Sequence, residues 1–230
     1  MKSIKHVKFS VLCLAGLCMM ATFAFGATGS ASAKVLLFKT SSGFPFDLTG
    51  TGGASRLLTV GGGAISSSAL DTLVFILNST LFDARLTFLG ATSALGSCNT
   101  SGDAAGVLLL SLLGHLGLTH PSDLPGVLLL IPGGFSFLCG GFVVDVQGSV
   151  IGLITKPAIL ATGQKELGLS FQQTNGIQNH TAFLLGATLL TNQFLLSNIL
   201  GVINKFEQSG QEASVTLTPS GGGTFEIADD

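Results

Sequence analysis

The chain is 230 residues long, has a formal net charge of −2, and is 47% hydrophobic with only 10% charged residues. A chain so poor in charge, without basic clusters, lacks the electrostatic signature of nucleic-acid binding. Its mean hydropathy of +0.65 indicates either strands buried on both faces or apolar surface that contacts a ligand, a partner or a membrane.

The first 33 residues are typical of a secretory signal peptide. Three lysines within the first eight residues precede an apolar stretch from Phe9 to Phe25, and Ala31-Ser32-Ala33 forms an A-x-A cleavage pattern. We therefore predict a signal peptide at residues 1–33 and a single β-rich domain at residues 34–230. Loss of the three lysines changes the net charge from −2 to about −5. The mature chain is expected to be secreted, periplasmic or at the cell surface.

Two cysteines, Cys98 and Cys139, remain after cleavage. An even pair in an exported protein is most simply one disulfide, and its loop would add about 4 kcal/mol of stability by the chain-entropy relation. The alternative is a reactive or metal-binding cysteine, which would need a neighbouring histidine or a second cysteine motif.

Apolar runs separated by glycine and small polar residues predict many strands joined by tight turns. Residues 41–54, rich in turn-forming residues, are interpreted as a loop or short hairpin. The clearest period-two alternation places Val144, Val146 and Val150 on one face of a strand. The predicted strands are residues 34–39, 57–60, 70–77, 81–89, 135–138, 142–153, 167–171, 213–218 and 224–227. The fold class is all-β, an antiparallel β-sandwich or a barrel-like single domain.

Similar sequences recur at residues 103–110 and 123–130, where a glycine precedes a four-residue apolar run. Because a repeat architecture requires three or more copies, these runs are interpreted as two neighbouring strands with similar turns before them. Residues 213–227 are expected to form a terminal hairpin.

Residues 182–203 are mostly Leu, Ile, Phe and Ala and are long enough for a membrane span to be considered. Polar residues and glycines inside the run favour two strands that turn at Thr191-Asn192-Gln193. Membrane association through this segment remains the alternative.

Familiar catalytic motifs are absent from the sequence, and we predict no catalytic residues, no cofactor and no metal. His115, His120 and Asp123 form a compact set around Pro121 that would suit a metal if the side chains converged. Residues five apart on a strand point to opposite faces, so exposed loop residues are the favoured interpretation. A hydrolase would require His115 or His180 to meet a carboxylate.

Four short segments of the second half of the chain are similar to a group of exported bacterial β-rich proteins of unknown function. The segments are Cys98–Gly106, Phe137–Gly141, Gly148–Gly152 and Phe206–Gly210. The resemblance covers roughly residues 98–228 and implies export, β structure and a paired cysteine, with no assigned activity. This chain has leucine where the similar proteins are richer in threonine and charged residues.

The first functional expectation is a non-enzymatic exported β-domain with a structural or binding role in the cell envelope or outside it. The alternative is a carrier whose strands enclose a small apolar ligand. An interior cavity lined by Leu and Phe with few polar groups would favour the carrier, whereas a cleft that joins a histidine to a carboxylate would favour the hydrolase.

Overall fold

The computed structural model describes residues 34–157, 161–198 and 206–230 and contains nineteen strands within them. The predicted signal peptide lies outside the described residues. The strands are β1 (Leu36–Thr40), β2 (Phe46–Gly52), β3 (Ser55–Thr59), β4 (Ala64–Ser67), β5 (Ala69–Ile76), β6 (Leu81–Leu89), β7 (Thr92–Ser93), β8 (Gly96–Asn99), β9 (Val107–Thr119), β10 (Pro125–Cys139), β11 (Phe142–Lys156), β12 (Leu167–Phe171), β13 (Gln173–Thr174), β14 (Ile177–Gln178), β15 (Phe183–Leu185), β16 (Thr188–Leu190), β17 (Leu195–Asn198), β18 (Glu207–Pro219) and β19 (Phe225–Asp229). The all-β, antiparallel fold class is confirmed.

Eight strands close into a ring of antiparallel pairings, which we call the upper ring. Its order is β2-β5-β6-β9-β10-β11-β12-β18, and β18 pairs with β2 to complete the circle. Closure removes the free sheet edges that an open sheet would expose. An eight-stranded closed sheet has an interior just wide enough for side chains or for one small ligand.

A second closed ring, the lower ring, shares the long strands β10, β11 and β18 with the first. Its order is β3-β4-β7-β8-β10-β11-β17-β18, and β18 pairs with β3. Along β18, residues 213–219 pair in the upper ring and residues 207–212 in the lower ring. The two rings are therefore stacked along the three shared strands and enclose one continuous interior.

The alternation of side chains along each strand sorts the sequence between the interior and the surface. On β5, Leu70 and Val74 are buried while Asp71 is exposed, and on β6, Phe82 is buried while Asp83 is exposed. Successive residues of a strand point to opposite faces, so one face of each wall strand supplies the core.

Strands β1 and β19 pair with each other and pack across the end of the upper ring. The rings of Phe38 and Phe82 meet edge to face with centroids 6.2 Å apart, and those of Phe46 and Phe225 with centroids 6.5 Å apart. This pair of strands, the terminal ribbon, corrects the prediction of a hairpin between the last two strands. The buried residues of β19 are Phe225, Ile227 and Ala228, and its pairing with β1 holds them in the core.

The prediction of a loop or short hairpin at residues 41–54 is wrong for residues 46–52, because β2 is a wall strand of the upper ring. Gly52 is required there by close packing rather than by a turn: a Cβ atom built on it would lie 2.5 Å from the Ser214 carbonyl oxygen. Glycine inside a strand commonly marks such a close approach of two backbones.

Residues 183–198 form three short strands instead of the two predicted. β15 and β16 pair with each other, and Gly186, with positive φ, lies in the turn between them. β17 pairs with β11 on one side and with β18 on the other. Asn175 and Gly176 form the turn between β13 and β14, with φ of 51° and 81° at the two positions. In the described part of the chain, no helix has the length and apolar character needed to cross a membrane, and residues 199–203 lie outside that part.

Candidate functional site

The stacked rings surround a partly open apolar cavity of about 100 Å³. Of the 27 residues that line it, 23 are apolar, four are polar, and none of those described is charged. Five of the apolar residues are phenylalanines, at positions 82, 88, 135, 137 and 171. Walls of this kind favour apolar molecules over water, because a bound water needs two to four polar partners.

Small side chains at inward positions leave this space open. Ala84, Ala91 and Ala213 line the cavity. Larger inward side chains would fill a barrel of this size. The cavity-lining Leu86, Phe88, Leu110 and Phe135 retain partial exposure although they face inward, which is the expected signature of a core that its own side chains do not fill.

A disulfide closes the lower ring where its ladder is short. Cys98 on β8 and Cys139 on β10 are directly opposed, fully buried and joined through their sulfur atoms. The β8–β10 ladder has only one further residue pair, Asn99 with Leu138. The covalent bond therefore secures a closure that two residue pairs alone would hold weakly. Disulfides persist in oxidising compartments, so the bond weakly favours a location outside the cytoplasm.

A buried glutamine completes the wall on the opposite side of β11. Gln178, only 4% exposed, accepts a hydrogen bond from the Ile151 backbone N–H at 3.1 Å and donates one to the Ser149 carbonyl at 2.8 Å. These groups lie between the end of the β17 ladder at Gly148 and the start of the β12 ladder at Gly152. The side-chain amide thus takes the place of a strand where the wall has none.

The wall between β9 and β10 is interrupted instead of sealed. One edge of β10 pairs with β9 up to Leu130, and the same edge pairs with β8 from Leu138 onward. The stretch of β10 between these two residues contains two glycines with positive φ. A shallow outer depression at this point is bordered by Asp83, Arg85 and Pro132. Ala84 and Leu112 border both this depression and the cavity.

The structure does not assemble the histidine sites that the sequence suggested. His115 lies within the β9 ladder, whereas His120 and Asp123 are exposed at the turn that follows it. Burial lowers the pKa of His115 and also that of His180, so desolvation rather than a carboxylate neighbour sets their titration. Within the described ranges there is no group of three or more metal-ligating side chains, and the ion pairs join only lysines to carboxylates.

Sequence reasoning missed the polar residues of the interior. Thr72, Ser55, Ser67 and Gln211 line the cavity, and Gln178 seals its wall. A threonine at an inward position occupies the same place in the period-two pattern as a leucine. Whether its hydroxyl has a hydrogen-bond partner depends on the residues across the barrel, which the local sequence does not reveal.

No protein-family model, curated protein or solved structure matches this chain.

Proposed function

We propose that the mature chain is an exported binding protein that holds one small apolar molecule inside its barrel. The observation that carries the proposal is the apolar cavity inside two closed rings, with no charged side chain on its described wall. This is the feature that separates a carrier from a purely structural β-domain. Binding in a largely preformed apolar cavity requires few polar contacts.

The size of the cavity limits the ligand to a small molecule. Apolar protein cavities of about 150 Å³ hold molecules of the size of benzene. The volume here is smaller, about 100 Å³, but the cavity is only partly enclosed, so a single-ring molecule need not lie wholly inside it. Burial of roughly 200 Å² of ligand surface contributes about 5 kcal/mol, equivalent to a dissociation constant of roughly 0.2 mM. Binding of single-ring hydrocarbons in this affinity range is therefore the expected behaviour.

Export is part of the same proposal. The amino-terminal sequence has the pattern of a signal peptide, and the buried Cys98–Cys139 bond suits an oxidising compartment. Intact mass spectrometry of protein secreted or released from the periplasm should give a chain that starts at Lys34 with one disulfide. An uncleaved chain would contradict the proposal of export.

Calorimetric titration of the mature chain with ethylbenzene tests the binding function. Ala213→Leu adds three carbons inside the cavity, and Ser214→Leu adds a larger side chain at the next residue, which is exposed on the outer face of β18. We expect ethylbenzene to bind the wild type and Ser214→Leu equally and to bind Ala213→Leu at least tenfold more weakly, because the leucine occupies the space of the ligand. Equal binding by all three proteins would place the ligand elsewhere.

A further inference from the structure

The polar part of the cavity wall is small and uncharged. Ser55, Ser67, Thr72 and Gln211 are its polar members. Gln211 is partly exposed and donates from its amide to the Glu212 carbonyl at 3.2 Å. In an apolar binding site, a few polar groups of this kind fix the orientation of the ligand.

The two serines largely satisfy each other. The hydroxyl oxygens of Ser55 and Ser67 lie 2.7 Å apart, and each residue is 7% exposed. One O–H donates to the other hydroxyl oxygen, so each of the two hydroxyls has a hydrogen-bond partner.

Thr72 differs from the serines because its hydroxyl is alone. It is 7% exposed and lines the cavity, and its Oγ1 atom has no hydrogen-bond partner among the residues that the structure describes. Its neighbours across the two ladders are Gly50 on β2 and Leu86 on β6, and neither has a polar side chain. A buried hydroxyl without a partner is destabilising, so such a group in a native structure requires an explanation.

We infer that the ligand is an uncharged apolar molecule that carries one hydroxyl or carbonyl group, and that this group hydrogen-bonds to Thr72 Oγ1. The inference rests on the proposed binding function. A hydroxyl or carbonyl satisfies the unpartnered threonine, and the apolar body of the ligand contacts the leucines and phenylalanines. A charged head group is excluded because the described cavity wall offers no counter-charge and burial of an isolated charge is highly unfavourable.

The test compares benzyl alcohol with ethylbenzene, which has a methyl group in place of the hydroxyl. Each is titrated into the mature wild type, Thr72→Val and Ser209→Ala. Thr72→Val removes the hydroxyl and keeps the shape, and Ser209→Ala removes a fully buried, unpartnered hydroxyl that does not line the cavity. The measured quantity is the ratio of the two association constants, because it cancels changes in overall stability.

We expect the ratio of benzyl alcohol to ethylbenzene binding to fall about threefold to tenfold in Thr72→Val, the range of one hydrogen bond, and to stay unchanged in Ser209→Ala. Benzoate should not bind any of the three proteins at neutral pH. A ratio that is the same in Thr72→Val and the wild type, with ethylbenzene still bound, would overturn the inference and leave the binding function intact. Absence of binding by both neutral probes would overturn the binding function itself.

Discussion

Replacement of Gln178 tests how the barrel wall is held together. Its amide serves two backbone groups of β11, the Ile151 N–H and the Ser149 carbonyl, and both residues are at most 3% exposed. Each buried backbone group left without a partner costs about 1–3 kcal/mol. Gln178→Ala should therefore lower the free energy of unfolding by roughly 2–5 kcal/mol.

Two further variants separate the hydrogen bonds from the volume of the side chain. Gln178→Met keeps most of the volume and loses both hydrogen bonds, so it should lose nearly as much stability as Gln178→Ala. Gln172→Ala, at an exposed position nearby, should change stability by less than about 0.5 kcal/mol. Urea unfolding followed by far-ultraviolet circular dichroism is the assay, because the chain contains no Trp or Tyr.

Gln178→Glu adds a pH dependence with a defined sign. The buried carboxyl accepts from the Ile151 N–H in either state but donates to the Ser149 carbonyl only when protonated, so burial and this contact raise its pKa above the ordinary value of about 4.3. A raised folded-state pKa means that the native state binds more protons, so the stability of this variant should fall as pH rises above about 4.3. If Gln178→Ala and Gln178→Met were as stable as the wild type at every pH tested, the role of Gln178 in holding the wall would be refuted.

Two other predictions concern closure and close packing. Replacement of both Cys98 and Cys139 by alanine should lower the free energy of unfolding by about 4 kcal/mol, the chain-entropy value for a loop of this length. A loss below about 1 kcal/mol, measured by urea unfolding, would contradict the stabilising role of the bond. Gly52→Ala should lower the free energy of unfolding by about 1–3 kcal/mol, because the added Cβ meets the backbone of β18. Gly53→Ala has open space around its Cβ and should leave the stability unchanged, and thermal unfolding of both variants measures the difference.

The local pattern of the sequence was sufficient to predict many of the strands. The runs that became β5, β6 and β11 alternate clearly, and their turns carry the residues that tight turns need. These features depend on a few neighbouring residues. The all-β class, the proximity of the repeated runs in β9 and β10, and the end of β11 before Pro157 follow from the same kind of information.

The rest depended on contacts between residues far apart in the chain. The sequence predicts a loop or short hairpin over β2 because Gly50 and Gly52 resemble turn residues, whereas in the fold they lie against β18. The pairing of β1 with β19 joins the two ends of the described chain, which no local pattern reports. The cavity was expected only as an alternative, because the density of Leu and Phe does not reveal whether side chains fill a barrel or leave it open.

A crystal of the mature chain pressurised with xenon shows whether the two closed rings surround an apolar cavity. Xenon enters dry apolar cavities that admit benzene-sized molecules. We expect xenon density between Ala84, Leu112 and Ala213, inside the barrel wall. An interior filled by side chains, or by ordered water with no xenon, would contradict the account.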